Sequence, residues 1–372
     1  MTTYARPRVL VAPVTVTPTK PLTPSHVKGL LWVDVLCRAT ALVADVDYRY
    51  SLTTYNVTAQ TLGFWAYLDS ECPALDPESL TEEAIGRHYV RYQARASPPS
   101  YAVLRSYEER VEATGWVHPV SARLLRIWAG HYAALGLHDP GLTAVQPPGL
   151  EMAGVLHLLT AHGLCLDLRN DGGPVYLDAT RFGVPLRRIV SAEGQPNYLA
   201  CALRDLLPLA GEYDRVVLLY DRELHADYVL LSKVLEVVGG VISREVVERV
   251  PIDGVVRSSR HGGWAGYTVA DLLAAVRDAG DTDAVRLGLR LYFIAVLGRG
   301  VQQSFRMDLL RQSVVRAGRL LAAGFPADPV GMDRVLRRSM GHLDYVDPYR
   351  LTSALLSRGN PPVRQLARAV FC

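Results

Sequence analysis

Two short apolar runs constrain this chain more than any other feature. Residues 9–17 (VLVAPVTVT) and 215–221 (RVVLLYD) are built from β-branched and aliphatic residues, the composition of a buried strand. Each leads through a loop into a segment with helical apolar spacing, Val27 to Ala44 after the first and residues 225–239 (HADYVLLSKVLEVVG) after the second. Strands that alternate with helices need crossover connections, and crossovers place a parallel sheet between helical layers. The expected class is therefore α/β, with a Rossmann-like parallel sheet.

The same reading extends along the chain. A second strand fits Tyr48 to Tyr55, and Phe64 to His138 reads as helices broken at the proline-rich SPPS. From Leu150 the alternation returns. The helix LEMAGVLHLLTAHG is followed by strands around PVYLDATRFG and RRIVSA, a helix after Pro196, and a strand-like REVVERVPID. From Val269 the periodicity is helical. The expected organisation is two halves of a catalytic core at 1–63 and 150–268, a mostly helical insertion at 64–149, and a helical C-terminal region at 269–372.

Composition excludes several classes. A net charge of +3 is too small for a general polyanion binder. The five cysteines form no C-x-x-C pair, which argues against structural zinc or a disulfide framework. There is no signal-peptide pattern and no apolar run near the roughly 20 residues that span a bilayer. A cytoplasmic enzyme or binding protein is expected, with no membrane partner.

The 40 basic residues include only three lysines, and two of them, Lys20 and Lys28, flank His26 in TKPLTPSHVKG. This loop lies between a strand and a helix, where free backbone N–H groups and the positive end of the helix dipole favour anions. It reads as a triphosphate cradle, or as a plain helix start capped by Ser25 with solvated lysines around it.

TPTKPLTPSHVKGLLWVDVLCRA resembles the first signature motif of class I aminoacyl-tRNA synthetases, H-x-G-H, in its arginyl form. His26 takes the place of the second histidine, Thr23 that of the first, and Ser25 that of the glycine. Residues 173–206 and 214–239 are similar to the arginyl enzymes' next strand, turn and helix segments. VVRSSRHGGWAGYTVADLLAAV resembles the K-M-S-K-S loop, with Arg257, Ser259 and Arg260 at its lysine, serine and lysine positions. The likeness covers residues 8–60 and 150–305 in order. It implies ATP and Mg²⁺ as cofactors, with Thr23, Ser25, His26, His225, Arg257, Ser259 and Arg260 around the nucleotide. His26, Lys20, Lys28 and Arg260 would stabilise phosphoryl transfer. It also implies an amino-acid site at Thr17, Tyr55, Gln60, Tyr198 and Asp205.

Ala202 stands where the family carries the aspartate that recognises the substrate guanidinium, and no segment matches the family's N-terminal tRNA-binding domain. The 67 residues after Phe305 fall short of the usual anticodon-binding domain. The expectation is a stand-alone synthetase-like enzyme. It would activate an amino acid and pass it to a small amine, peptide or carrier, with tRNA disfavoured and oligomeric state open. Two alternatives stand beside it: a non-catalytic paralogue that binds amino acid, nucleotide or tRNA, and a tRNA-dependent aminoacyl transferase.

Overall fold

In the computed structural model, the described residues are 6–95, 97–300, 303–323, 329–356 and 364–372. Parts of the expected C-terminal region, residues 301–302, 324–328 and 357–363, therefore lie outside them. β1 (Arg8–Pro13), β2 (Asp45–Tyr48), β6 (Arg215–Tyr220) and β7 (Ile242–Val246) form one parallel sheet in the order β2-β1-β6-β7. Val9 to Ala12 and Val216 to Tyr220 are all buried. Both central strands are covered on both faces, which is why their sequences run apolar without alternation.

β1 crosses through α1 (Pro24–Thr40) to β2 on one side, and β6 crosses through α9 (His225–Val237) to β7 on the other. The direction of winding reverses between β1 and β6. The crevice beyond the carboxyl ends of these strands is the topological switch point, where open α/β sheets bind ligands.

The second strand is not where its β-branched residues suggested. β2 ends at Tyr48, and Leu52–Asn56 form a short helix, α2. The backbone N–H of Leu52 donates to Gln146 Oε1 at 2.6 Å, the Thr53 hydroxyl donates to the Gln146 carbonyl at 2.7 Å, and Thr54 Oγ1 accepts from the Gly149 N–H at 2.7 Å. These partners, with burial of all five side chains, override local strand propensity.

Helices α3 (Ala59–Glu71), α4 (Glu82–Gln93), α5 (Tyr101–Thr114) and α6 (Pro119–Leu135) lie between the two halves of the sheet, and α7 (Met152–Ala161) begins the second. β3 (Cys165–Asp167), β4 (Val175–Leu177) and β5 (Arg187–Val190) make a separate antiparallel sheet rather than joining the parallel one. Their links are too short for a crossover, so only antiparallel pairing is open to them. α8 (Tyr198–Leu206) returns the chain to β6.

After β7 come α10 (Val269–Val276), α11 (Thr282–Arg290), α12 (Met307–Ala323), α13 (Pro329–Met340), α14 (Pro348–Ala354) and α15 (Arg364–Phe371). They dock on α1 partly through a buried ion pair of Arg290 with Asp34, and on β7 through Arg299, which bridges Glu245 and Asp347. Among the described residues no helix is long and apolar enough to cross a membrane.

Candidate active site

The site is built outward from the start of α1. Thr23 is its extended N-cap and Pro24 its first helical residue. The fixed φ of proline suits that position, where no N–H partner is needed. The cap is therefore Thr23, not Ser25.

His26 stands at the third helical position. Its Nδ1 accepts the Thr23 backbone N–H at 2.9 Å, which assigns the ring proton to Nε2. Burial, with Lys20 and Arg249 nearby, pushes its pKa down to about 3. His26 is thus a neutral imidazole whose remaining nitrogen is a donor, on a side chain that lines the crevice.

Ser25 turns aside. Its Oγ accepts the Val250 N–H at 3.0 Å, tying the helix start to the loop after β7. Beside it, a narrow apolar end of the crevice is walled by Val14, Val16, Leu30, Val33, Leu219 and Val247, with Thr23, Arg257 and Ser259 at its polar edge.

The wider end has a volume of about 600 Å³, within the range of small-molecule sites. Lys20 projects from the loop after β1 and is only 7% exposed. Its Nζ lies 5.0 Å from the centre of the Tyr89 ring. Among the described residues no carboxylate lies within salt-bridge distance of it. Burial, then the charges of Arg260 and Arg249, lower its pKa to about 8. Arg260, from the second motif loop, donates to Gln60 Oε1 at 3.3 Å. Thr17, Tyr198 and Ser259 line the same space, and the Tyr198 hydroxyl donates to the Thr15 carbonyl at 3.3 Å.

Four expected site residues lie elsewhere. Lys28 is two positions beyond His26, on another face of the helix. It is 1% exposed, and its pKa falls to about 8 through burial, partly offset by Glu248. Tyr55 is buried behind Tyr198, ring centres 4.8 Å apart, and does not line the crevice. Asp205 is buried and already holds a guanidinium, that of Arg49, with Nε 2.8 Å from Oδ1. His225 is exposed at the start of α9, with Nδ1 3.3 Å from the Tyr220 hydroxyl and outside the crevice lining.

Arg249 is the residue that sequence reading missed. It lines both ends of the crevice and bonds Asp221 through Nε at 3.0 Å and Glu223 through Nη1 at 2.6 Å. The strand-like reading ran on to Asp253, whereas β7 stops at Val246. An arginine three residues beyond a strand's carboxyl end was the available signal.

Among the described residues, the side chains lining the crevice do not by themselves form a site for Mg²⁺. Asp221 and Glu223, the carboxylates lining the crevice, are both paired with Arg249, and no trio of ligating side chains occurs among the described residues.

The fold is similar to that of class I aminoacyl-tRNA synthetase cores. The chain is similar to the arginyl-tRNA synthetase of Thermus thermophilus with a TM-score of 0.62 and 15% identity, covering 99% of this chain and 74% of that one. It is similar to the Plasmodium falciparum arginyl-tRNA synthetase with a TM-score of 0.53 and 13% identity, over 83% of this chain and 56% of that one. Likeness at such identity is one of fold. No family model matches the sequence, and no curated protein does.

Proposed function

We propose that the protein activates an amino acid with ATP as its adenylate and passes the acyl group to a small amine, peptide or carrier. One observation carries the reading: His26, Lys20, Arg249 and Arg260 converge at a helix N-terminus beside the switch point, and among the described residues Lys20 has no counter-ion there. Adenylate formation has this requirement. The amino-acid carboxylate attacks the α-phosphorus, the bond to pyrophosphate breaks, and pyrophosphate leaves with the electron pair. Charge builds on phosphoryl oxygens, so the protein supplies placed donors and cations rather than a general base.

In this reading neutral His26 donates from Nε2 to the α-phosphoryl oxygens, and Lys20 and Arg260 meet the charge on leaving pyrophosphate. Arg249 holds the strand-end carboxylates away from the phosphates. The narrow apolar end takes the base, with Thr23, Arg257 and Ser259 at its edge. The amino acid lies near Thr17, Gln60 and Tyr198. Asp221, Glu223 and Asp205 are each already paired with an arginine, which favours an uncharged amino-acid side chain over a guanidinium.

The test is ATP–pyrophosphate exchange with pooled amino acids and common analogues, on wild type and His26→Ala. Exchange that depends on His26 supports activation; no exchange by folded wild type removes it. A binding-only protein is the second reading. It is favoured by Arg257, which pairs with exposed Asp253 at 2.5 Å rather than facing the phosphate cluster freely. Tight ATP binding without exchange would select it.

A further inference from the structure

A second space opens off the crevice. Gln60, Ala59, Ser191, Gln195 and Arg260 line both, so the two are continuous. The outer chamber has a volume of about 520 Å³ and lies between the helical insertion and the 191–197 segment. Its outer wall is Pro98, Pro99, Tyr92, Tyr101 and Leu104.

This wall is locally built. Residues Ser191 to Gln195 close a tight turn in which the Gly194 N–H donates to the Ser191 carbonyl at 3.1 Å and the Ser191 N–H to the Gln195 carbonyl at 2.9 Å. Gly194 has φ 106°, and a Cβ there would meet the Tyr101 ring at 3.1 Å. A residue other than glycine would be strained and would crowd the ring. Glu193, on the same turn, is exposed and, among the described residues, is the one carboxylate lining the chamber. Its carboxylate lies beside Ser191, which faces both spaces, and has Arg188 as its nearby charge. Among the described residues it forms no salt bridge.

We propose that this chamber is the acyl-acceptor subsite, taking a small primary amine whose body lies on Tyr101, Leu104 and the two prolines while Glu193 attracts its nitrogen beside Ser191, a residue of the junction. The inference rests on the activation reading above and names its acceptor class. Glu193 attracts an ammonium and repels the phosphates of a polynucleotide end, against the opposing charges of Arg188 beside it and Arg260 at the junction. In the transfer step the bound ammonium first gives one proton to water through the open side of the chamber and reacts as its free base. Its lone pair forms the C–N bond, the carbonyl C–O bond to AMP breaks, AMP leaves with the electron pair, and the second proton follows from the new C–N nitrogen to water.

Tyramine and 3-(4-hydroxyphenyl)propionate are suitable probes, because they share a body and differ in the sign of the end group. Binding of each to the full chain is measured by calorimetry and saturation-transfer NMR, for wild type, Glu193→Gln and Glu193→Arg. The expected result is tyramine binding that weakens about fivefold or more in Glu193→Gln and is lost in Glu193→Arg, with the propionate favoured only by the latter. In turnover, KM for tyramine rises in both variants while ATP–pyrophosphate exchange stays at the wild-type rate.

Tyramine that fails to bind wild type at millimolar concentration, or binds regardless of residue 193, overturns the subsite even if exchange is intact. Conversely, Glu193-dependent binding without any exchange keeps the subsite and removes the activation reading.

Discussion

Lys20→Met separates a cation kept for a ligand from one kept for the fold. The fall of the Lys20 pKa from the ordinary 10.5 to about 8, at about 1.4 kcal/mol per pH unit, makes its charge cost on the order of 3 kcal/mol. Methionine fills nearly the same volume without that charge. Allowing for the lost contact with the Tyr89 ring, the variant should be more stable than wild type at pH 7 by about 1–3 kcal/mol, a rise of a few degrees in Tm. The same substitution removes a charge from the phosphate cluster, so ATP and pyrophosphate should bind roughly tenfold to a hundredfold more weakly, since a unit charge a few ångströms away is worth several kcal/mol before screening.

Wild-type affinity should also fall from pH 7 to pH 9 as Lys20 loses its proton near pH 8, while the variant's affinity stays flat over that range. The assays are thermal unfolding and calorimetry at both pH values. A variant that is less stable than wild type yet binds ATP equally well would refute the reasoning.

Lys28→Met is the control: it should stabilise the fold in the same way, since burial also lowers Lys28 to about 8, but leave ATP affinity unchanged. For both lysines the unfolded chain holds more protons than the folded one between about pH 8 and 10, so unfolding free energy should rise with pH there, measured by urea denaturation, and both substitutions should flatten it. His26→Gln, which keeps an amide donor, should retain more ATP affinity than His26→Ala, and neither wild-type binding nor exchange should show a His26 titration near pH 6.5, because the folded pKa is about 3. Arg249→Met should weaken ATP binding by tenfold or more by freeing Asp221 and Glu223 to face the phosphates; equal affinity in calorimetry would show that Arg249 is only a structural tie. Arg49→Ala leaves Asp205 buried and unpaired, and should cost about 3–5 kcal/mol in denaturant unfolding.

The two central strands and the helices after them were legible because a strand covered on both faces must be apolar throughout, and β1 and β6 are. The presence of a helix after the β1 loop was legible as well, but not its first turn: Ser25 reads as the cap from the sequence, whereas Thr23 caps a helix that begins at Pro24. The sites of Lys28, Tyr55, Asp205 and His225 were not, since their neighbours in sequence do not say which side of an element meets the crevice. Lys28 and His26 are two residues apart and point to different faces of one helix. Asp205 is an acid in a plausible place, yet Arg49, 156 residues away in sequence, has already claimed it.

The sequence by itself determined a parallel α/β core and the loop at which anions collect, because both follow from local pattern: apolar strands, helical periodicity and a helix start. The tertiary structure alone decided which charges are paired and which are not. Lys20 without a carboxylate among the described residues, Arg249 between Asp221 and Glu223, and Glu193 at the mouth of a second chamber depend on how segments of the chain are brought together, and electrostatic energy is set by distance and burial rather than by order along the chain.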